Sequence, residues 1–275
     1  MCLILLAWHA HPDFPLVFAG NRDEAYERPS TPADFWKDAP QIFGGRDLEK
    51  GGTWLGITRA GRMAAVTNYR DGPSAKKAAP RSRGELTASF LRGTNEPRAY
   101  LERIAPDAAQ YGGFSLLTGD LERLCCISNR SAGVQELPAG VHGLSNHLLN
   151  TPWPKVTLGK QRVTALLKAG EADLIKGLFG ALADRTGASD KELPDSGVGL
   201  QRERELSPAF IAAERYGTRA STVLLVSRED EVIFIERRFD AMGAPQGVSE
   251  RRFRLQSSSA RDASRKQPAR SFDPR

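Results

Sequence analysis

The amino-acid sequence predicts an α+β protein built on antiparallel sheets. Its strand segments come in neighbouring pairs joined by short turns and its helical segments come in groups, an order typical of hairpins and not of alternating βαβ units. The first strand segment, CLILLAW at residues 2–8, is apolar at almost every position, so both of its faces are expected to be buried. We therefore expect a layered structure in which this strand lies between a second sheet and a layer of helices.

Four hairpins account for the strand segments. Each pairs two runs rich in β-branched, aromatic or other apolar residues around a short polar or glycine-containing turn. They are predicted at residues 2–22, 52–70, 112–129 and 219–239. In the third hairpin, the adjacent Cys125 and Cys126 would point to opposite faces, and we expect both to be buried as small hydrophobic side chains.

Helical spacing of apolar residues occurs in five further segments. They are predicted at residues 83–93, 96–105, 154–169, 171–184 and 208–214. In the second of them, Asn95 is a suitable N-cap and Pro97 is suited to the first turn. A polar loop is expected between the fourth and the fifth helix.

The positive net charge is concentrated at the end of the chain. Of a net charge of +6, residues 250–275 supply five charges, because they contain eight Lys or Arg and three Asp or Glu. We therefore divide the chain into one domain, residues 1–244, and a basic C-terminal tail, residues 245–275, whose composition is typical of disorder. A solvating tail or a weak contact with an anionic partner would explain this composition, and the nearly neutral domain argues against nucleic-acid binding.

The cysteines indicate a reducing compartment. Cys2, Cys125 and Cys126 form neither a disulfide framework nor a metal-ligand spacing, which favours the cytoplasm. The apolar run at the start of the chain ends at Trp8, too early for a signal peptide or a membrane span, and no later segment reaches spanning length. The sequence thus predicts a cytoplasmic protein with no transmembrane segment and no metal site.

The first hairpin brings the start of the chain close to a polar sequence, NRDE at residues 21–24. If the turn is centred between positions 12 and 13, Cys2 pairs with Asp23, within one position. Directly opposed strand residues share a face and lie about 5 Å apart. The neighbouring Arg22 is then expected on the other face of the strand.

Cys2 combines two reactive groups if the initiator methionine is removed, as is usual before a small residue. Its α-amine, with an ordinary pKa of about 7.7 to 8.0, can act as a general base, while its thiol, at about 8.5, supplies the nucleophile. A neighbouring carboxylate such as Asp23 would hold the amine in place. Alternatively, the cysteine is a chance occurrence and residues 21–24 form a solvated strand end with a weak local ion pair.

Six motifs occur in order between Met1 and about Phe239. They are MCLILLAW, GNRDE, GGTWLGIT, AAVTNYR, GLSNHLLNTPWPK and YGTRASTVLLV. This set resembles the NRDE family, the relatives of transport and Golgi organisation protein two. That family is in turn similar in its start to the N-terminal nucleophile hydrolases, particularly penicillin V acylase and bile salt hydrolase. The resemblance implies a four-layer αββα sandwich with mainly antiparallel sheets.

The same resemblance implies roles for individual residues. Cys2 matches the nucleophile, and Asp23 matches the acid that contacts its amine. Asn68 and Asn146 match strand-end asparagines that help to build the oxyanion hole, and Arg219 is a candidate for the late arginine of the site. An amide N–H can stabilise negative charge on an acyl oxygen by about 3 kcal/mol, and a positive group near the thiol favours the thiolate.

The neighbours of these residues are candidates for ligand contacts. Around the acid, Asn21, Arg22 and Glu24 supply polar groups, and Trp54 is a candidate wall of an apolar pocket. The acylases carry an arginine three residues before the acid, where this chain has Gly20, and Arg22 is not expected to take that position.

Two functions of different classes follow from this interpretation. The first is a cysteine N-terminal nucleophile hydrolase that acts on a non-peptide C–N amide or an acyl thioester and requires no cofactor. The second is a non-catalytic binding or trafficking protein for haem, acyl-CoA or related lipid ligands. The candidate haem ligands are His9, His11, His142, His147 and Cys2. A purely structural or partner-binding module is a third alternative, and the oligomeric state is left open.

Overall fold

The computed structural model describes residues 2–72 and 79–256, and this part of the chain contains thirteen strands and five α-helices. The strands are β1 (Cys2–Trp8), β2 (Leu16–Ala25), β3 (Asp34–Trp36), β4 (Ala39–Gly44), β5 (Leu55–Thr58), β6 (Met63–Asn68), β7 (Phe114–Gly119), β8 (Leu124–Ser128), β9 (Gln135–Glu136), β10 (Gly140–Leu144), β11 (Tyr216–Val226), β12 (Glu231–Phe239) and β13 (Pro245–Arg254). The helices are α1 (Arg83–Arg92), α2 (Pro97–Ile104), α3 (Pro154–Ala165), α4 (Glu171–Leu182) and α5 (Leu200–Leu206).

Two antiparallel sheets pack face to face with helices on both outer sides. The first sheet has the strand order β10-β1-β2-β11-β12-β13, and the second runs from β3 to β9 in chain order. One apolar core lies between the sheets and includes Ile4 and Phe43. A second core, with Leu5 and Leu178, lies between the first sheet and helices α3 and α4, and a third, with Phe90, lies between the second sheet and helices α1 and α2. The predicted α+β class and the four-layer αββα sandwich are confirmed.

Strand β1 lies in the middle of these layers and is buried along its whole length. Ile4 faces the second sheet and Leu5 faces the helices, so the apolar sequence on both faces matches two cores. The same alternation places Cys125 in the outer core of the second sheet and Cys126 in the core between the sheets. The predicted burial of both cysteines on opposite faces is confirmed.

Four of the predicted helices are confirmed as α1 to α4. Helix α2 begins at Pro97, so that Glu96 and not the predicted Asn95 is the N-cap residue, since proline takes the first helical position. The longest of these helices have 12 residues. Within residues 2–72 and 79–256, no helix has the length and apolar character that crossing a membrane requires.

The fifth predicted helix, at residues 208–214, is wrong. A short helix, α5, forms instead inside the segment expected to be a loop. The backbone groups of residues 208–214 bind other parts of the fold: the Ala209 carbonyl accepts a hydrogen bond from Asn21 Nδ2 at 2.7 Å, and the Ile211 N–H donates to Thr218 Oγ1 at 3.0 Å. These tertiary hydrogen bonds replace the ones that a helix would make.

The predicted boundary of the folded domain at residue 244 is also wrong. Residues Pro245–Arg254 form β13, which pairs with β12 at the edge of the first sheet. Most of its residues are exposed, so β13 has the charged composition from which a disordered tail was predicted. Phe253 nevertheless packs against the core between the sheets, and Leu255 is buried. Residues 257–275 of the predicted tail lie outside the described residues.

A chain that ends at residue 256 is expected to keep the thermal stability of the full-length protein. For a chain that ends at residue 244, the free energy of unfolding is expected to fall by about 3 kcal/mol or more. The shorter chain lacks the apolar contacts of Phe253 and Leu255 and exposes the edge of β12. Thermal unfolding of the three chains under the same conditions measures the difference. Equal melting temperatures for the two truncated chains would contradict a structural role of β13.

Candidate active site

A cavity of about 670 Å³ lies at one end of the sandwich, and both sheets contribute to its walls. The first sheet supplies Cys2 and Arg22, and the second supplies Asn68, while Trp54 precedes β5. Cys2 is the first residue of β1 and Asn68 is the last residue of β6, so the cavity lies at strand ends. Side chains at these positions can face the cavity instead of packing in the core. Its volume is in the range of small-molecule sites.

The register of the first hairpin differs by one position from the centre of the prediction. Cys2 pairs with Arg22 and not with Asp23. A hydrogen bond of 2.7 Å from the His9 N–H to the Pro15 carbonyl closes the turn and centres it on position 12. Because opposed residues share a face, Arg22 faces the cavity together with Cys2. The expectation that Arg22 lies on the other face is wrong.

The Cys2 thiol is nearly inaccessible, since the residue is only 7% exposed at the cavity wall. Burial raises the pKa of the thiol, and the Asp23 carboxylate raises it as well, whereas the Arg22 guanidinium lowers it. The net shift is upward, so the thiol is protonated at neutral pH. Attack on a carbonyl carbon therefore requires a base that takes the thiol proton.

Alkylation of Cys2 by iodoacetamide is expected to be slower at pH 7 than that of free cysteine and to accelerate as the pH rises past about 8.5, because the thiolate is the reactive form. Timed labelling followed by peptide mass spectrometry measures this rate. Cys126 is the internal control, since burial raises the pKa of its thiol to about 12 and it should stay unlabelled. A Cys2 rate that is already maximal at pH 7 would contradict the raised pKa.

Asp23 lies one position beyond the residue paired with Cys2, on the side of the Cys2 α-nitrogen. Its carboxylate accepts a hydrogen bond of 2.7 Å from Thr218 Oγ1, and its main-chain carbonyl accepts one of 2.7 Å from the Tyr216 hydroxyl. Burial raises the pKa of Asp23, and the Lys155 ammonium and the Thr218 hydroxyl oppose this shift. The Thr218 hydroxyl thus holds the Asp23 carboxylate, and Asp23 lies on the side of the Cys2 α-nitrogen.

The side of β2 that carries Arg22 has no room for a larger residue at Gly20. A Cβ atom there would lie 3.1 Å from the Trp54 ring and 3.0 Å from the Leu3 carbonyl oxygen. Arg22 Nη2 lies 3.7 Å from an Asp47 carboxylate oxygen, and its buried Nη1 has no hydrogen-bond partner among residues 2–72 and 79–256. On β2, therefore, Arg22 places a guanidinium at the cavity, and Gly20 leaves no space for one.

Asn68 and Asn146 meet where β6 and β10 end. Asn146 Nδ2 donates to Asn68 Oδ1 at 2.9 Å and to the Asn68 carbonyl at 3.2 Å. Asn146 holds a left-handed φ of 55°, which asparagine tolerates, and it does not line the cavity. Because Asn68 Oδ1 is bound to Asn146, the Nδ2 group of Asn68 lies on the other side of its amide. Asn68 is therefore the candidate oxyanion donor, and Asn146 orients it.

Arg219 lines the cavity from a bulge of β11 between Thr218 and Ala220. Its guanidinium donates to the carbonyls of Tyr26 and Phe239, the latter at 3.3 Å. Of the arginines that line the cavity, Arg22 lowers the pKa of the Cys2 thiol. Arg219 thus lines the cavity, but its guanidinium N–H groups donate largely to main-chain carbonyls.

The sequence from Met1 to the end of β12 matches a known family model. The match covers residues 1–241 and is described as Transport and Golgi organisation 2, TANGO2. The chain belongs to this family. The bovine (Bos taurus) Transport and Golgi organization protein 2 homolog is 36% identical over 259 residues, covering 86% of this chain and 92% of the bovine protein. The human (Homo sapiens) homolog is 35% identical over 257 residues with the same coverage.

Solved structures of hydrolases overlap loosely with this TANGO2-family chain. A mutant of the conjugated bile acid hydrolase from Clostridium perfringens has a TM-score of 0.46 and 8% identity, over 91% of this chain and 92% of that chain. The N-acylethanolamine-hydrolyzing acid amidase ortholog from Caenorhabditis elegans has a TM-score of 0.40 and 11% identity, over 82% of this chain and 92% of that chain.

The predicted ligand contacts divide between two faces of β2 in this TANGO2-family protein. Asn21 faces the helices, where its Nδ2 donates to the carbonyls of Leu182 at 2.9 Å and Ala209 at 2.7 Å, and its Oδ1 accepts from Ser221 Oγ at 2.7 Å. Asn21 is fully buried outside the cavity, so the prediction that it binds a ligand is wrong. The predicted contacts that do line the cavity are Arg22, Glu24 and Trp54.

Sequence reasoning missed three charged residues of the site. Arg83, in the first turn of α1, lines the cavity and donates to the Gly113 carbonyl at 3.1 Å. Glu236 on β12 lines it as well, and burial raises the pKa of its carboxyl. Lys155 on α3 lies on the helix side, where its ammonium lowers the pKa of Asp23, and the charges of Asp23 and Cys2 raise the pKa of Lys155. No local sequence signal marks them, because the fold brings them to Cys2 from distant segments.

The histidines do not offer an axial haem ligand inside the cavity. Within residues 2–72 and 79–256, the cavity wall contains no histidine. Three of the four have both ring nitrogens in hydrogen bonds with other groups of the protein: His11, His142 and His147. His9 is exposed in the first turn. Of the predicted ligands only Cys2 faces the cavity, so the residues present do not fit a histidine-ligated haem at this site.

Proposed function

We propose that this protein is a Cys2-dependent acyl hydrolase that cleaves a non-peptide amide or an acyl thioester in the cytoplasm. The observation that carries the proposal is the grouping at the cavity: a buried thiol at Cys2, a carboxylate at Asp23 beside its α-nitrogen, and an amide donor at Asn68. Membership of the TANGO2 family, which resembles N-terminal nucleophile hydrolases in its opening motif, supports this choice. Free thiols at all three cysteines suit the cytoplasm.

The proposed reaction begins after removal of Met1, which frees the Cys2 α-amine. The amine takes the thiol proton, and the sulfur attacks the carbonyl carbon of the substrate. Asn68 Nδ2 donates to the oxyanion, while Asp23 holds the protonated amine. Collapse of the tetrahedral intermediate breaks the C–N or C–S bond, and the amine returns its proton to the leaving group. Water, deprotonated by the amine, then hydrolyses the Cys2 thioester and releases a carboxylic acid.

A panel of acyl-amides and acyl thioesters of different chain lengths tests this function. The full-length protein, with removal of its initiator methionine verified, is incubated with each compound, and release of the acid is measured by mass spectrometry. Turnover of at least one class supports the proposal. No turnover of any compound in either class would overturn it.

Binding without turnover is a second candidate, favoured by the charge of the cavity. Among the residues that the structure describes, eight basic and five acidic side chains line the cavity, which suits an anionic ligand such as acyl-CoA or haem with its propionates. Calorimetric titration with acyl-CoA and absorbance titration with haem distinguish the two ligands. Replacement of Arg22 by methionine is expected to weaken binding of the anionic ligand, because it removes a buried guanidinium with an unpartnered N–H. Saturable binding with no product would favour this candidate.

A further inference from the structure

Each of the two asparagines at the site is followed by an aromatic residue that the proposed reaction does not use. Tyr69 follows Asn68 at the end of β6 and lines the cavity, and His147 follows Asn146 just after β10. Strand β6 belongs to the second sheet and β10 to the first. The Tyr69 hydroxyl lies 2.5 Å from His147 Nε2, so this pair of side chains links the two sheets next to Asn68.

The hydrogen bonds around His147 determine which of its ring nitrogens carries the proton. The Thr151 hydroxyl donates its only hydrogen to the Leu148 carbonyl at 2.9 Å. It therefore accepts a hydrogen bond from His147 Nδ1, which lies 2.8 Å away. The neutral ring is thus protonated on Nδ1, and its Nε2 lone pair accepts a hydrogen bond from the Tyr69 hydroxyl.

The main chain on both sides of this link is also held. The Arg70 N–H donates to the Asn146 carbonyl at 2.7 Å. The His147 carbonyl accepts a hydrogen bond of 2.9 Å from Ser115 Oγ on β7. Together with the amide contact between the two asparagines, hydrogen bonds at three successive positions, 68, 69 and 70, hold the end of β6 against the segment that follows β10.

We propose that Tyr69 and His147 are positioning residues that hold the Asn68 amide where it donates to the oxyanion. This role rests on the proposed chemistry at Cys2, whereas the hydrogen bond between the two side chains does not. The Asn146 side chain binds the Asn68 amide, and the next residue on each segment fastens the chain beside that contact. A misplacement of about 1 Å in a catalytic site can cost about a hundredfold in rate, because oxyanion stabilisation depends on a preorganised donor.

The surroundings of the His147 ring keep it in the form that accepts a hydrogen bond. Burial lowers the pKa of His147, and the Asp71 carboxylate, which is paired with Arg130 at 2.6 Å, opposes this shift. Arg70 lies over the Trp153 ring, which in turn packs against His147. The net shift is downward, so the ring is neutral at pH 7. Only the neutral ring has a nitrogen that can accept.

NMR titration of the full-length protein tests the hydrogen bond without any substrate. The neutral His147 ring should carry its proton on Nδ1, and its signals are assigned by their absence in His147→Gln. Because the Tyr69 hydroxyl donates only to the neutral ring, Tyr69→Phe should raise the pKa of His147. A proton on Nε2, or a pKa that does not change in Tyr69→Phe, would overturn the link between the two side chains.

Four variants test the positioning role on a compound that the wild type turns over, at a temperature where all are folded. Tyr69→Phe and His147→Leu should each lower kcat about tenfold and leave KM within about twofold, because the oxyanion forms only in the transition state. His147→Gln places an amide near the Nε2 position and should regain most of the kcat that His147→Leu loses. Tyr100→Phe is the matched control and should keep the wild-type kcat. The Tyr100 hydroxyl also donates to a carbonyl, that of Leu86 at 2.6 Å, but it lies in the outer core of the second sheet.

The outcomes separate the positioning role from the hydrolase proposal. Equal kcat values for Tyr69→Phe and Tyr100→Phe, or a His147→Gln variant as slow as His147→Leu, would overturn the positioning role and leave the hydrolase proposal intact. If the wild type turns over no compound, the hydrolase proposal and the positioning role fail together. The NMR titration then still decides whether the two side chains are linked.

Discussion

Replacing Cys2 with alanine is expected to lower kcat/KM for the acyl substrate at least a thousandfold, on the order expected for loss of a nucleophile. The alanine lacks the sulfur that forms the covalent acyl intermediate, and no other thiol lines the described cavity. Initial rates of acid release at equal protein concentration, with folding checked by circular dichroism, measure the effect.

The matched control for this change is Cys126→Ala. It makes the same replacement at a buried strand residue between the sheets, away from the cavity wall. We expect it to cost some stability and to leave kcat/KM within about twofold of the wild type at a temperature where both are folded. Equal activities of Cys2→Ala and Cys126→Ala would remove Cys2 from the mechanism.

Replacing Arg70 with methionine is expected to lower the free energy of unfolding by about 3 to 5 kcal/mol. The Arg70 and Glu203 side chains are 5% and 3% exposed, so the variant would leave the Glu203 carboxylate buried without its cation. Urea unfolding gives this free energy through the transition midpoint and the slope.

The surface pair Arg98 and Glu102 provides the comparison for that variant. Its side chains are 46% and 56% exposed, and exposed pairs of this kind contribute less than about 1 kcal/mol. Arg98→Met should therefore leave the free energy of unfolding nearly unchanged. A similar small loss in Arg70→Met would show that the buried pair does not stabilise the fold.

The parts of the fold that were predicted from the sequence are those with strong local patterns. β1 is apolar on both faces and therefore had to lie between two layers, and the hairpins of β5 with β6 and β7 with β8 are marked by alternating strands and turn residues. Strand β13 has no such pattern, because an edge strand with mostly exposed side chains needs few apolar residues. Its place is determined by pairing with β12, which the sequence alone does not show.

Only the part of the site that lies on the first hairpin was predicted from the strand pattern. The sequence paired Cys2 with Asp23 within one position, and the observed partner is Arg22, because the turn is centred half a position earlier than assumed. That shift places Arg22 on the face of β2 that carries Cys2, so Arg22 lines the cavity. Arg83 and Lys155 come from helices far along the chain, and only tertiary packing brings them to Cys2.

The most direct measurement of the central claim is the intact mass of the full-length protein as purified from cells. The account predicts a mass lower than that of the complete translated sequence by one methionine residue, which leaves the Cys2 α-amine free beside Asp23. Incubation with a substrate should then add the mass of one acyl group at Cys2. A protein that retains Met1 has no free Cys2 amine, and that result would contradict the proposed mechanism.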